Sequence, residues 1–302
     1  MPDPSLTVTV VITTRNRSAD LARALESTLT QDVPAEVLVI DDGSTDGTAE
    51  MVREKFPAVR LERSDACHGL IVQRTRAASL AQSDVLISID DDAVFTSPRT
   101  VGQTLREFSD PRIGAVAIPF RNADCEEVLQ RAPGPDHIWI TDRFIGTAHA
   151  LRRDVFLRCG GYRDFFVHQG EEGDFCLRML NEGFVVRLGS ADPIHHLESP
   201  RRSFERMDFY GRRNDILFAS LNVPWPWLLP HLAATTLNGL LTARRKGRYR
   251  QMLRGLAHGY GETLKRRNQR KPVSSQIYRL SRRLKKAHAM PLEQIAPLLP
   301  AR

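Results

Sequence analysis

Residues 36–48 read EVLVIDDGSTDGT, an apolar run of Val37, Leu38, Val39 and Ile40 that stops at two aspartates and a glycine turn. A continuous apolar run bounded by turn residues reads as a strand buried on both faces. The same grammar occurs on either side. Residues 6–12 (LTVTVVI) end at TTRNR, and Val85-Leu86-Ile87-Ser88-Ile89 ends at Asp90-Asp91-Asp92. The intervening segments have helical character. Leu21, Ala24, Leu25, Thr28 and Leu29 share one face behind a candidate N-cap, Ser18. A second helix covers 48–55, a short strand 59–62, and a third helix about 70–82. Strands alternating with helices through short connections predict an α/β fold with a doubly wound sheet. Ligands of such sheets gather beyond the carboxyl ends of the strands, where all three polar runs lie.

Further along, 113–119 reads as a strand, 121–150 as irregular, 171–183 as a helix and 203–221 as an amphipathic helix. Three prolines interrupt 224–230, and an apolar run at 231–243 precedes RRKGRYR and a basic, helical remainder to about 288.

Composition narrows the class. With 302 residues and 41% hydrophobic content the chain has ample core for about two lobes. Cys67, Cys125, Cys159 and Cys176 fall singly, which argues against a disulfide scaffold or a cysteine zinc site and fits a reducing compartment. No basic segment precedes the first apolar run, so secretion is not expected and the expected location is cytoplasmic. The net charge of +7 divides into −10 for residues 1–200 and +17 for 201–302. An acidic body with a basic tail is not a uniformly basic nucleic-acid binder, and no nucleic-acid partner is expected.

Asp90-Asp91-Asp92 is the sharpest chemical signal. Three adjacent acids repel one another, and a hard divalent ion such as Mg²⁺ would relieve that while keeping positions for substrate phosphates. A solvated acidic loop fits the same residues equally well. Asp41 and Asp42 suit a ribose or base contact, although DGSTDG is also a good turn. Glu171-Glu172-Gly173-Asp174 opens a helix, where a crowded carboxylate can serve as a base or simply favour the helix dipole. His195-His196 offers imidazole as a metal ligand or a structural pair. Arg74 and Arg76 open the third helix, and arginine suits a diphosphate. Neither a G-x-G-x-x-G nor a P-loop is present, which removes the NAD-type and P-loop readings.

Taken in order, these segments resemble family 2 glycosyltransferases of the GT-A fold, among them bacterial polysaccharide and rhamnosyl transferases. VTVVITTRNR resembles the opening strand and its T-x-N loop, with Thr13 in place of a common proline. VLVIDDGSTDGT is close to the second-strand motif. HGLIVQRTRAA resembles G-x-x-x-A-R-N, with Arg74 at the arginine and Thr75 for the asparagine. Asp90-Asp91-Asp92 fills the D-x-D position. GTAHALRRDVFLRCGGY resembles the segment before the acceptor site, and GEEGDFCLR the G-E-D-x-D-L-x-x-R run, with Glu172 where aspartate is usual. The resemblance covers about residues 6–220.

It implies a GT-A mixed sheet and an inverting transfer from a nucleoside-diphosphate sugar to an acceptor hydroxyl on a glycan or lipid-linked saccharide. Thr13, Arg15, Asp41 and Asp42 would surround base and ribose. Asp90 and Asp91 would face the donor, with Arg74 near the diphosphate. Asp90 and Asp92, joined by His196 or His195, would hold Mg²⁺ or Mn²⁺. Glu172, or its neighbour Glu171, would be the general base. The implied organisation is a nucleotide-sugar half over 1–110, an acceptor half over 111–222, and a basic helical extension over 223–302. Residues 225–243 carry two internal prolines, a histidine and an asparagine, poor material for a bilayer span. With Trp225 and Trp227 at one end and basic residues at the other, the extension suits the anionic cytoplasmic face of a membrane, or a core helix with a solvated basic face. A sugar-1-phosphate nucleotidyltransferase would need a glycine-rich loop that TTRNR lacks. An inactive adaptor would have lost the acids that are present here.

Overall fold

The computed structural model describes residues 6–123, 125–197 and 204–301. Its strands are β1 (Val8–Thr14), β2 (Glu36–Asp41), β3 (Arg60–Arg63), β4 (Val85–Asp90), β5 (Ala93–Phe95), β6 (Ile113–Ala117), β7 (Phe120–Asn122), β8 (Trp139–Thr141), β9 (Ala148–Arg152), β10 (Val185–Leu188), β11 (Ile194–His196) and β12 (Met290–Pro291). The α-helices are α1 (Ser18–Leu29), α2 (Thr48–Lys55), α3 (Leu70–Leu80), α4 (Thr100–Arg106), α5 (Arg153–Arg158), α6 (Glu171–Asn181), α7 (Phe204–Asn222), α8 (Leu228–Lys246), α9 (Tyr249–Lys265), α10 (Ser275–Ala287) and α11 (Leu292–Ile295).

Among the described residues a nine-stranded mixed sheet runs β12-β8-β10-β6-β9-β4-β1-β2-β3, beside a three-stranded sheet β5-β11-β7. The helix–strand alternation of the first ninety residues makes β2, β1 and β4 parallel neighbours. Antiparallel β9 then joins β4 to β6. Alternate residues feed two cores. Val10, Ile12, Val37, Val39, Ile87 and Ile89 pack on one face, and Val11, Leu38, Ile40 and Leu86 on the other. The apolar runs are therefore continuous because neither face meets water.

Three local expectations are corrected. Ser18 is the first residue of α1, and Arg17 takes the cap position without a side-chain capping bond. Leu29 is exposed rather than on the buried face. The stretch 121–150 is not irregular throughout, since it contains β7, β8 and the start of β9, strands too short or too polar for a period-2 signal.

The boundary at 110/111 falls between α4 and β6 of a single sheet. The region 223–302 divides in two. Helices α8 and α9 pack against α7, whereas α10 packs on α6 and β12 pairs with β8 at the sheet edge. No helix among the described residues is long and apolar enough to cross a membrane.

Candidate active site

Three strand ends make the floor. Thr14, Asp41 and Asp90 end β1, β2 and β4, and parallel register sets Asp41 opposite Thr14 and Asp90 opposite Thr13. Thr13 Oγ1 and Asp41 Oδ2 are buried without hydrogen-bond partners, although Arg63 Nε stands 3.5 Å from Asp41 Oδ2. Buried polar atoms are normally satisfied, so these two are open to a further hydrogen-bond partner.

Asp42 is different. Its carboxylate accepts hydrogen bonds from His68 N (2.8 Å), Gly69 N (2.9 Å), Gln73 Nε2 (2.6 Å) and Cys67 Sγ (3.2 Å). Burial alone would raise its pKa, but these donors outweigh burial and hold it below the usual carboxylate range. It fastens the start of α3 to β2 through these four contacts. Arg15 is exposed beside this loop.

The three acids also divide. Asp91 accepts from Thr14 Oγ1 (2.8 Å) and Arg17 Nη1 (3.0 Å), and burial pushes it up to about 7 against those two partners. Asp92 accepts from Arg17 Nη1 at 2.6 Å and stands 3.3 Å from His196 Nε2. Those contacts overcome its burial and draw its pKa far down. Ligand atoms of Asp90, Asp92 and His196 lie within 4.8 Å of one another. Two carboxylates and an imidazole form a donor set suited to Mg²⁺ or Mn²⁺. Asn122 Oδ1 lies 2.9 Å from His196 Nδ1 and can accept a hydrogen bond from it, which leaves Nε2 available to a cation. His195 does not join them. Strand alternation turns it to the other side of β11, beside Arg121 and Glu126.

Arg74 is buried, and its Nη2 donates to Asp90 Oδ1 (2.7 Å) and to the Gly146 carbonyl (2.8 Å). Above it stands α6. Gly170 opens this helix at φ 88°, following Val167 at φ 62° and Gln169 at φ 66°. A β-branched residue in the left-handed region is uncommon and costly, and the fold must hold it there. Asn214 of α7 does so by donating to the carbonyls of Phe166, His168 and Gln169 at 2.7–2.9 Å.

The acids of α6 then take separate roles. Asp174 is fully buried and receives Arg163, Arg178 and Asn222. Glu171 is buried, its Oε2 unpartnered; desolvation and the neighbouring charge of Glu172 raise its pKa. Glu172 is half-buried and faces the loop at Gly146, where an added β-carbon would stand 2.6 Å from its Oε1 and 2.8 Å from Arg74 Nη1. The structure thus gathers Thr13, Asp41, Asp90, Asp92, His196, Arg74 and Glu172 along one edge. Sequence reasoning missed Arg17, Asn122, Gly146 and Asn214. Arg17 lay inside the polar run TTRNR and Gly146 opens the segment GTAHALRRDVFLRCGGY, whereas Asn122 and Asn214 carried no sequence signal.

The family model described as glycosyl transferase family 2 matches residues 9–167. The chain is 22% identical to an O-antigen chain rhamnosyltransferase of Salmonella typhimurium over 66% of its length and 69% of that protein's. It is 25% identical to the N-acetylglucosaminyl-diphospho-decaprenol L-rhamnosyltransferase of Mycobacterium tuberculosis, over 81% of this chain and 94% of that one. Among solved structures, a mannosyltransferase of Pyrobaculum calidifontis in complex with GDP-Man and Mn²⁺ superposes with a TM-score of 0.60 at 21% identity, covering 87% of this chain and 89% of that one. At that identity the likeness establishes a shared fold.

Proposed function

The chain belongs to glycosyl transferase family 2 and is a nucleotide-sugar glycosyltransferase, and from that premise we propose that it is an inverting enzyme using a divalent cation and Glu172 as base. The observation that carries this reading is the approach of Glu172 and Arg74 to one point over Gly146, beside Asp90. An acceptor hydroxyl held at Glu172 would lose its proton to the Oε1 carboxylate as its oxygen attacks the anomeric carbon. The attack is in line with the departing diphosphate, so configuration inverts. Thr13 Oγ1 and Asp41 Oδ2 would take polar groups of the nucleoside. Arg74, fixed by Asp90 and the Gly146 carbonyl, supplies preorganised positive charge where negative charge develops. A cation held by Asp90, Asp92 and His196 would neutralise the leaving diphosphate.

Glu171 suits the base role poorly, because a carboxyl kept protonated by burial has no free charge to receive a proton. The relatives' printed names favour a deoxyhexose donor and a glycan or diphospholipid acceptor in polysaccharide assembly. The exposed apolar residues of α8 and α9, next to basic clusters, favour peripheral attachment at the cytoplasmic face of an anionic membrane. The test is a thermal-shift panel of nucleoside diphosphates and nucleotide sugars with and without Mn²⁺, since ligand binding to the folded state raises its apparent stability. Mn²⁺-dependent stabilisation by one nucleotide is the expected result. No response to any nucleotide would overturn the donor assignment.

A further inference from the structure

A cavity of about 710 Å³ lies between the first turn of α6 and helices α7, α8 and α10, apart from the strand-end site. Its volume is in the range of small-molecule sites. The helices contribute single faces. From α10 come Tyr278, Arg282 and Lys285, and from α8 residues 231, 234, 235 and 238, the spacing of one helical stripe. Arg143 and Arg212 complete the charged lining, and Trp227 and Tyr278 form part of the apolar wall.

The charges are unbalanced. Arg143 pairs with Asp142 and Arg212 with Asp215. Among the described residues neither Arg282 nor Lys285 forms an ion pair, which leaves two positive charges over. Burial and the charges of Arg143 and Arg282 lower the pKa of Lys285, so these cations crowd one space. Burial also keeps His231 low, at about 4, so it adds no charge at neutral pH. Two unpaired cations beside aromatic walls call for an apolar molecule that carries a dianion.

The cavity also reaches the residue next to the proposed base. Gly173, adjacent to Glu172, lines it, and Arg143 stands 3.1 Å from where a Gly173 β-carbon would lie. The charge of Glu172 acts on Arg143. On its other side α8 exposes Leu229, Leu237, Leu240 and Leu241, so one helix separates the cavity from an apolar outer face.

We propose that this cavity holds the diphosphate and the first isoprenoid units of a lipid-diphosphate acceptor, with Arg282, Lys285 and Arg143 on the phosphates and Trp227 on the chain. The proposal rests on Glu172 being the base. A sugar joined directly to a diphosphate in this cavity would lie toward the first turn of α6, where Gly170 and Gly173 line the wall. A diphosphate diester carries two negative charges, the number left unmatched.

The experiment titrates the full chain in mild detergent, saturated with a nucleoside diphosphate and Mn²⁺, and follows tryptophan fluorescence. Three probes are compared: farnesyl diphosphate, inorganic diphosphate and farnesol. Farnesyl diphosphate should bind best. Arg282→Ala with Lys285→Ala should weaken it about 10- to 100-fold, the scale of lost charge-assisted hydrogen bonds. Trp227→Ala, followed by calorimetry, should weaken farnesyl diphosphate but not inorganic diphosphate. Unchanged nucleoside-diphosphate stabilisation in the variants shows that they fold. Equal binding of inorganic diphosphate or of farnesol overturns the proposal, as does a folded double variant that binds like the wild type. A chain that binds farnesyl diphosphate but no nucleotide keeps the pocket and sinks the donor reading instead.

Discussion

The carboxylate of Glu172 and the guanidinium of Arg74 converge on the α-carbon of Gly146, from α6 on one side and α3 on the other. A β-carbon there would stand 2.6 Å from Glu172 Oε1 and 2.8 Å from Arg74 Nη1, both shorter than real contacts allow. Glycine permits this close approach, and a methyl group here would displace the ends of both side chains. Gly146→Ala should push the two charged groups apart and cut turnover by about 10²-fold, the effect of an ångström-scale displacement of a positioned group. Thermal stability should change little, because the atoms that must give way are the ends of two side chains. Steady-state kinetics and melting curves measure both. Wild-type turnover in this variant would mean that Glu172 and Arg74 do not act together.

The two histidines of β11 should separate cleanly. His196 shares a 4.8 Å group with Asp90 and Asp92, whereas His195 faces away. Asp92→Ala should abolish the Mn²⁺-dependent part of nucleotide stabilisation, and His196→Ala should weaken it. His195→Ala should leave it unchanged. A loss with His195→Ala equal to that with His196→Ala would contradict the alternation on which the assignment stands.

The neighbouring glutamates differ in kind as well as position. Glu172→Gln should leave nucleotide binding nearly intact and cut turnover by about 10²–10⁴-fold, the usual share of a general base. Glu171→Gln should act on stability. The folded-state pKa of Glu171 is raised above its ordinary value of 4.5. Below that value the side chain is protonated in both states and its burial carries no ionisation cost. As pH rises the unfolded chain ionises first, so stability is progressively lost up to the folded-state pKa. Melting curves from acid to mildly alkaline pH should therefore show the wild type losing ground to Glu171→Gln as pH increases. A wild type that holds or gains ground on Glu171→Gln as pH rises refutes the protonated, buried state of Glu171.

The strands bearing the site were legible because β1, β2 and β4 are buried on both faces and write nearly continuous apolar runs, interrupted before their polar ends only by Thr9 and Ser88. Antiparallel β9 was not. His149 and Arg152 break its pattern, although His149 is buried against Phe144 and Tyr162. The acid clusters were visible as clusters only. Every acid in the first turn of α6 suits the helix dipole, so sequence cannot tell the interior anchor Asp174 from the outward Glu172. Likewise Asp41 and Asp42 read alike until four donors around Asp42 set it apart. Gly146 opens GTAHALRRDVFLRCGGY, but its close approach to two charged groups, like the role of Asn214, comes from packing between distant segments and leaves no local pattern.

Membrane attachment is tested better by point variants than by truncation at residue 223, because α10 and β12 belong to the folded body and their loss would disturb the sheet edge. The exposed residues form stripes. Leu229, Leu237 and Leu241 recur along α8, and Tyr249, Leu253, Tyr260 and Leu264 along α9, with exposures of 61% at Leu229 and 68% at Leu264. A hydrogen bond of 2.7 Å between Thr236 and Tyr260 holds the helices side by side. Such a surface, beside Arg244, Arg245 and Lys246, combines apolar insertion with attraction to anionic lipid of about 1 kcal/mol per basic residue. Liposome co-sedimentation of the full chain should require anionic lipid and weaken with salt. Leu237→Ser with Leu264→Ser removes apolar area already in water, so the melting temperature should hardly move. Binding should fall about tenfold or more, since each leucine that enters the bilayer contributes about 1.5–3 kcal/mol. Unaltered sedimentation of this double variant would return the stripe to an ordinary solvated helix surface, and binding that persists at high salt would locate the attachment elsewhere.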